Sequence, residues 1–420
     1  MNANVQADQY SNSVMAGGPP ASLRNPSFLI ECGYFFTLFY AFFGDALGLA
    51  FPMVGAGLLG GLALMCLMHF GTYSMGAFRP LRFAFGCAIS FLLIQVLVFE
   101  ESLKNSQMRG YITWILSLII IQTLSFRKGF FLRFGIVAFL MGCATLPFLK
   151  VYVATDEMMR IGGESGVALK NPNYFGMWFG FCSVFFIVTG LEARNYLIRM
   201  SSWLAGIFCL YLMALTVSRG SLLGVAIATV IAFQKVLKRS FLPILGFLIF
   251  VWIIFISGVF DDLIGYYLHR GAEETGRSKL WKWAFSGFLD SWWSGVGVSH
   301  AKVIDANTGN RYGPHNALLF FGYSSGIVPL GLFILYLAQA TRGALRARTQ
   351  SEYDSPYKLP LVSFALLTIM VADENFMSPW HLVVFCAAIA TARYPKKSKR
   401  SLKSPSMVKI SRSRSTVSSS

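Results

Sequence analysis

Apolar runs about as long as a bilayer is thick recur along this chain, and they leave few folds open. Twelve can be drawn: 28–47, 51–70, 81–99, 111–126, 131–149, 173–191, 200–217, 221–234, 241–259, 316–338, 359–373 and 376–392. A helix needs about 20 such residues to span the hydrocarbon core. Inside lipid every backbone polar group must find its partner within the chain, so only helices and closed barrels cross. Barrel strands would read as short alternating segments, and the sequence has none of that pattern. Only 13% of the 420 residues are charged, against about a quarter in soluble domains. These features predict an all-α, polytopic integral membrane protein of about 12 transmembrane helices. A long outer segment separates the ninth and tenth.

Charge sets the expected orientation. With the amino terminus inside, the inner linkers carry Arg79 and Arg82; Arg127, Lys128 and Arg133; Arg194 and Arg199; Lys235, Lys238 and Arg239; Arg342, Arg346, Arg348 and Lys358. The short outer linkers carry only Lys104, Arg109 and Arg219. That is the asymmetry of the positive-inside rule. The expected organisation is a cytoplasmic tail over 1–27, a transmembrane domain over 28–392 and a basic, disordered cytoplasmic tail over 393–420. Nine of the 36 Lys and Arg lie in that last tail, between Arg393 and Arg414. They suit an anionic inner leaflet, and the net charge of +17 therefore does not imply nucleic acid. The first 25 or so residues lack a basic region joined to a cleavable apolar segment, so no signal peptide is expected. The seven cysteines fall in apolar runs with no CxxC pair, and read as small packing residues.

Two outer segments are long, roughly 150–172 and 260–315. The second holds Gly276-Arg277-Ser278-Lys279-Leu280-Trp281-Lys282-Trp283, then Trp292 and Trp293. Tryptophan favours the membrane–water interface, so surface helices covering a cavity are expected there. Arg219 is squeezed between two apolar runs, where a permanent charge is costly unless it faces a wet cavity or an anion. Arginine grips phosphate oxygens in a bidentate fork. Histidine can take a proton near neutral pH. His315 at the entry to the tenth span, with Arg219 and Arg277, therefore suits removal of a group from a phosphate. The bland readings are a capping histidine and snorkelling or solvated arginines. His69 and His381 read as interfacial. Glu31 and Asp45 could relay protons or pair with buried polar neighbours. No DxD or DxE triplet marks the outer face, and HExxH, GxSxG and P-loop motifs are missing, so no metal or other cofactor is expected.

Four pieces in order resemble the O-antigen ligase and O-antigen polymerase superfamily over a motif core of 170–331. They are Asn171-Pro172-Asn173-Tyr174-Phe175-Gly176; Leu215-Thr216-Val217-Ser218-Arg219-Gly220-Ser221-Leu222-Leu223; Gly276-Arg277-Ser278-Lys279-Leu280-Trp281 followed by Trp292-Trp293-Ser294-Gly295-Val296-Gly297-Val298; and His315-Asn316 with Gly326. Ligases usually place a small residue where this chain has Pro329. The resemblance implies a metal-independent, inverting glycosyltransferase of cell-surface polysaccharide synthesis. Its donor would be a glycan on undecaprenyl diphosphate, at the outer face of the bacterial inner membrane, and its acceptor a glycan or lipid. It also implies Arg219 and Arg277 on the diphosphate and His315 as the acceptor-activating base. Arg160, Lys170, Asn173, Trp281 and Asn316 are expected to bind substrate. A flippase and a chain-length regulator are the implied partners besides membrane lipids. The rival reading is a twelve-span secondary transporter or polysaccharide flippase, which would be expected to show two related halves. The unmatched long outer segments argue against it.

Overall fold

The computed structural model describes residues 28–48, 52–71, 78–102, 106–155, 158–164, 169–237, 277–304, 311–347, 354–371 and 376–393. The expected span at 241–259, both tails and the His69 side chain fall outside that description. The described part is mostly helical: α1 Phe28–Phe43, α2 Pro52–Gly71, α3 Arg82–Leu97, α4 Ser106–Leu124, α5 Phe130–Ala144, α6 Pro172–Glu192, α7 Tyr196–Ala214, α8 Arg219–Leu237, α9 Arg277–Asp290, α10 Ala317–Ser325, α11 Ile327–Ala347, α12 Ser355–Val371 and α13 Pro379–Arg393. Two short antiparallel hairpins interrupt the all-α pattern: β1 Leu149–Thr155 with β2 Met158–Gly163, and β3 Val303–Ile304 with β4 Arg311–Tyr312.

Five helices within the described residues are long and apolar enough to cross a membrane, and six more are apolar but shorter. The central one is α6, most of whose residues are buried. It is apolar all round, which marks an interior helix rather than a surface one. Helices α7, α8, α12 and α5 pack around it. Glycines make room for large rings: Gly135 of α5 faces Phe185, and Gly180 and Gly224 face Phe364. The outer faces of α2 and α7 expose Leu64, Met68, Leu197, Leu204 and Ile207. Such patches would promote aggregation in water and suit lipid.

The expected span 316–338 is two helices. The chain breaks at Gly326, whose φ of +77° and ψ of −168° only glycine adopts readily. A methyl group there would lie 2.0 Å from the Trp293 carbonyl oxygen. Helix α11 restarts at Ile327, so Pro329 falls in its first turn. A first-turn N–H has no intrahelical acceptor anyway, so proline costs little there.

Two polar groups in the bundle refine the sequence reading. His381, near the start of α13, is wholly buried among its neighbours. Its Nε2 lies 3.2 Å from Thr368 Oγ1 and its ring stacks on Trp380 at 3.6 Å. Glu31 is also buried, and it pairs with two arginines. Arg133 donates from Nε and Nη2 at 2.5 and 2.9 Å, and Arg127 closes on the other side. Asp45 is exposed.

Candidate active site

The helix N-termini of α6 and α8 meet at one cavity with the first described turn of α9, and the first two are built by local rules. Asn171 caps α6 by accepting the Asn173 N–H at 2.8 Å, and Pro172 takes the first helical position that its fixed φ suits. The turn before α8 is held by Thr216 Oγ1 donating to Met213 O at 2.6 Å and by the Ser218–Ser221 hydroxyl pair at 3.0 Å. Val217 there has φ +49°. Gly176 of α6 lets this turn approach, since a methyl there would lie 2.6 Å from Thr216 Oγ1. Arg219 is the first residue of α8, and Arg277 the first of α9.

The cavity has a volume of about 320 Å³ and is lined by Asn173, Arg219, Gly220, Leu223, Arg277, Ser278, Trp281 and Val371. The sequence reading singled out Asn173, Arg219, Arg277 and Trp281 from segments far apart in the chain, and the fold brings these four together. Each helix N-terminus carries about half a positive charge, and unpaired N–H groups cluster there. Two guanidiniums add to that field. The arrangement can hold an anion with two or more oxygens. Leu223, Val371 and the indole of Trp281 supply an apolar wall beside it.

Arg160 reaches the cavity at one remove. It lies on β2, donating from Nε to Thr216 O at 2.8 Å and from Nη2 to Asn173 Oδ1 at 2.9 Å. It thus ties the hairpin to the N-termini of both α6 and α8. Lys170 is exposed just before the Asn171 cap and is not among the lining residues.

His315 also stands one step back from the lining. Trp281 Nε1 donates to the Pro314 carbonyl at 2.7 Å, which places the next residue, His315, at the edge of the site. His315 has φ +50° and is half-buried. Asn316 then caps α10, its Oδ1 accepting from the Leu318 and Leu319 N–H groups at 2.9 and 3.1 Å. Its Nδ2 donates to Met370 O at 2.9 Å, and Arg277 Nη1 donates to Val371 O. The last described turn of α12 thus accepts from both side chains; Arg277 lines the cavity, whereas Asn316 is not among the lining residues. The sequence reading missed Val371, Ser278 and Leu223. Ser278 and Leu223 sit inside quoted motifs and could have been included, whereas Val371 lines the cavity and also holds Arg277 through its backbone carbonyl, a contact that leaves no side-chain signal. Among the described residues no cluster of three or more His, Cys, Asp or Glu side chains could hold a metal.

Residues 204–334 match the O-antigen ligase family. The O-antigen ligase match starts within α7 and runs into α11. It contains Arg219, Arg277, Trp281, His315 and Asn316, while Arg160, Lys170 and Asn173 precede it. The general function it carries is that of an O-antigen ligase- or polymerase-like membrane enzyme that transfers glycan. No curated protein matches the chain.

Proposed function

We propose that the cavity binds the diphosphate of an undecaprenyl-diphosphate-linked glycan at the outer face of the bacterial inner membrane, and that the enzyme transfers the glycan to a glycan or lipid acceptor without a metal. The observation that carries this reading is the convergence of Arg219 and Arg277 on one cavity walled by Leu223, Val371 and Trp281. Two fixed cations suit a diphosphate, and the apolar wall suits a lipid bearing it. His315 takes the proton of the acceptor hydroxyl. The oxygen attacks the anomeric carbon from the face opposite the diphosphate, and the bond from that carbon to the diphosphate oxygen breaks. The electron pair leaves on undecaprenyl diphosphate, where the arginines and helix N-termini hold the charge, and the anomeric configuration inverts. The apolar helices and the charge asymmetry support this location, with both termini in the cytoplasm. Ligation to lipid and polymerisation of repeat units share this donor chemistry and differ only in the acceptor.

The test is transfer from a synthetic undecaprenyl-diphosphate-linked glycan by the full chain in vesicles, with EDTA present. Arg219→Ala and Arg277→Ala should each lower turnover about 10²- to 10³-fold, the usual cost of one lost donor to a developing oxyanion. Wild-type turnover in both variants would remove the diphosphate from this cavity.

A further inference from the structure

The described bundle holds one buried amide that bridges two segments far from it in sequence, and it does so beside the site. Gln95, near the end of α3, is wholly buried. Its Nε2 donates to the Ser324 carbonyl at 2.9 Å, and its Oε1 accepts the Val298 N–H at 2.8 Å. The Ser324 carbonyl can only accept and the Val298 N–H can only donate, so the side chain between them must do both, as an amide or a neutral carboxylic acid of this length can.

The two segments so joined carry the two halves of the site. Val298 ends the loop that follows α9, the helix of Arg277 and Trp281. Ser324 lies in the last turn of α10, the helix that His315 and Asn316 begin. The loop is laid on the helix end backbone to backbone. Val296 N donates to Tyr323 O at 2.9 Å, Gly297 N to Ser324 O at 3.2 Å, and Ile327 N to Trp292 O at 2.9 Å. Gly295, with φ +72°, permits the approach, since a methyl there would lie 2.4 Å from Ser325 N. Helices α9 and α10 are thus stapled at one end by Trp281 on Pro314 O and at the other by this knot. Gln95 is what fixes the knot to α3.

We infer that Gln95 is a positioning residue: it sets α9 against α10 and so fixes Arg277 and Trp281 relative to His315. For the chemistry this rests on the glycan-transfer reading above. A displacement of about 1 Å between reacting groups can cost about 10²-fold in rate. Gln95→Glu is nearly isosteric. Its protonated acid can donate to the Ser324 carbonyl as the amide does, and its ionised form cannot. Burial keeps such a carboxyl neutral until the pH is well above the usual carboxylate range. Of the two acids that follow α3, Glu100 is exposed and Glu101 accepts the Ser299 N–H at 3.1 Å.

The experiment uses the full chain in vesicles and two readouts. The first is kcat and donor KM for transfer from the synthetic lipid-linked glycan, from pH 6 to pH 9. The second, independent of turnover, is the distance distribution between spin labels at Phe285→Cys of α9, an exposed position, and Leu319→Cys of α10, a half-buried one, in a chain carrying Cys32→Ser and Cys143→Ser. Gln95→Leu should lower kcat at least tenfold at every pH, leave KM within about threefold, and broaden the distance distribution. Gln95→Glu should match wild type at pH 6, then lose kcat and broaden as pH rises, relative to wild type at each pH. Narrow distributions in both variants at every pH would overturn the clamp. So would equal, pH-independent losses that merely track lowered thermal stability. If the wild type transfers no glycan, the proposed function fails, and the distance measurement alone decides whether Gln95 holds α9 to α10.

Discussion

Replacing Gly326 by alanine tests how much of this fold hangs on one backbone approach. The break between α10 and α11 needs φ +77° and ψ −168°, a region costing a residue with a side chain about 1–3 kcal/mol. The new methyl would also sit 2.0 Å from Trp293 O, 2.4 Å from Trp293 C and 2.8 Å from Ser294 N. All three are backbone atoms and cannot rotate away. Relief requires the loop to lift, which strains the Ile327–Trp292, Val296–Tyr323 and Gly297–Ser324 hydrogen bonds, each worth about 1 kcal/mol. The expected loss is therefore on the order of 3–5 kcal/mol. Gly331, five residues on in α11, has no atom within 4 Å of where a methyl would go. Alanine there should be neutral or slightly stabilising, by up to about 1 kcal/mol. Thermal unfolding of both variants in the same detergent, followed with a thiol-reactive dye, compares them directly. A Gly326→Ala protein as stable as Gly331→Ala would show that the break is not held by this contact.

Other outcomes follow from the site and the core. His315→Gln and His315→Ala should each lose transfer by about 10²- to 10⁴-fold, as for a general base, while donor binding to the vesicle-embedded enzyme is kept; normal turnover in His315→Gln would leave the residue a cap. The same base sets a sign: imidazole accepts a proton only when neutral, so kcat should fall toward acid pH in wild type. Arg219→Lys should recover only part of the activity lost in Arg219→Ala, because an ammonium cannot make the fork, and full recovery would argue against bidentate binding. Arg160→Ala should raise donor KM by freeing Asn173, and an unchanged KM and kcat would make the Arg160–Asn173 bond incidental. Glu31→Gln should destabilise the fold by about 1–3 kcal/mol, since it leaves Arg127 and Arg133 facing each other without their shared carboxylate, and an unchanged unfolding midpoint would refute that.

Where a residue's placement follows from its own side chain, the sequence was readable. Arg219 stands out because a guanidinium between apolar runs needs a reason. Asn171-Pro172-Asn173 reads as a helix start because a side-chain cap and an N1 proline are local devices. Gln95 was not readable, for a glutamine near the end of an apolar run is chemically ordinary until Val298 and Ser324 are seen beside it. The break at Gly326 did leave a signal in the glycine followed three residues later by Pro329, but the apolar composition on both sides overrode it. The burial of His381 was not readable either, since position near a run end says nothing of which neighbours cover a side chain. Val371 is one apolar residue among many in its run, and the carbonyl by which it holds Arg277 is one that every residue has.

The cavity is charged by arginines and helix ends, and neither gives up its charge at any pH a protein survives. The site's grip on an anion therefore has no titration of its own. On the proposed function, an acid outer face would leave the donor bound and stall only the acceptor step. Return to neutral pH would restart it without any delay for recapture.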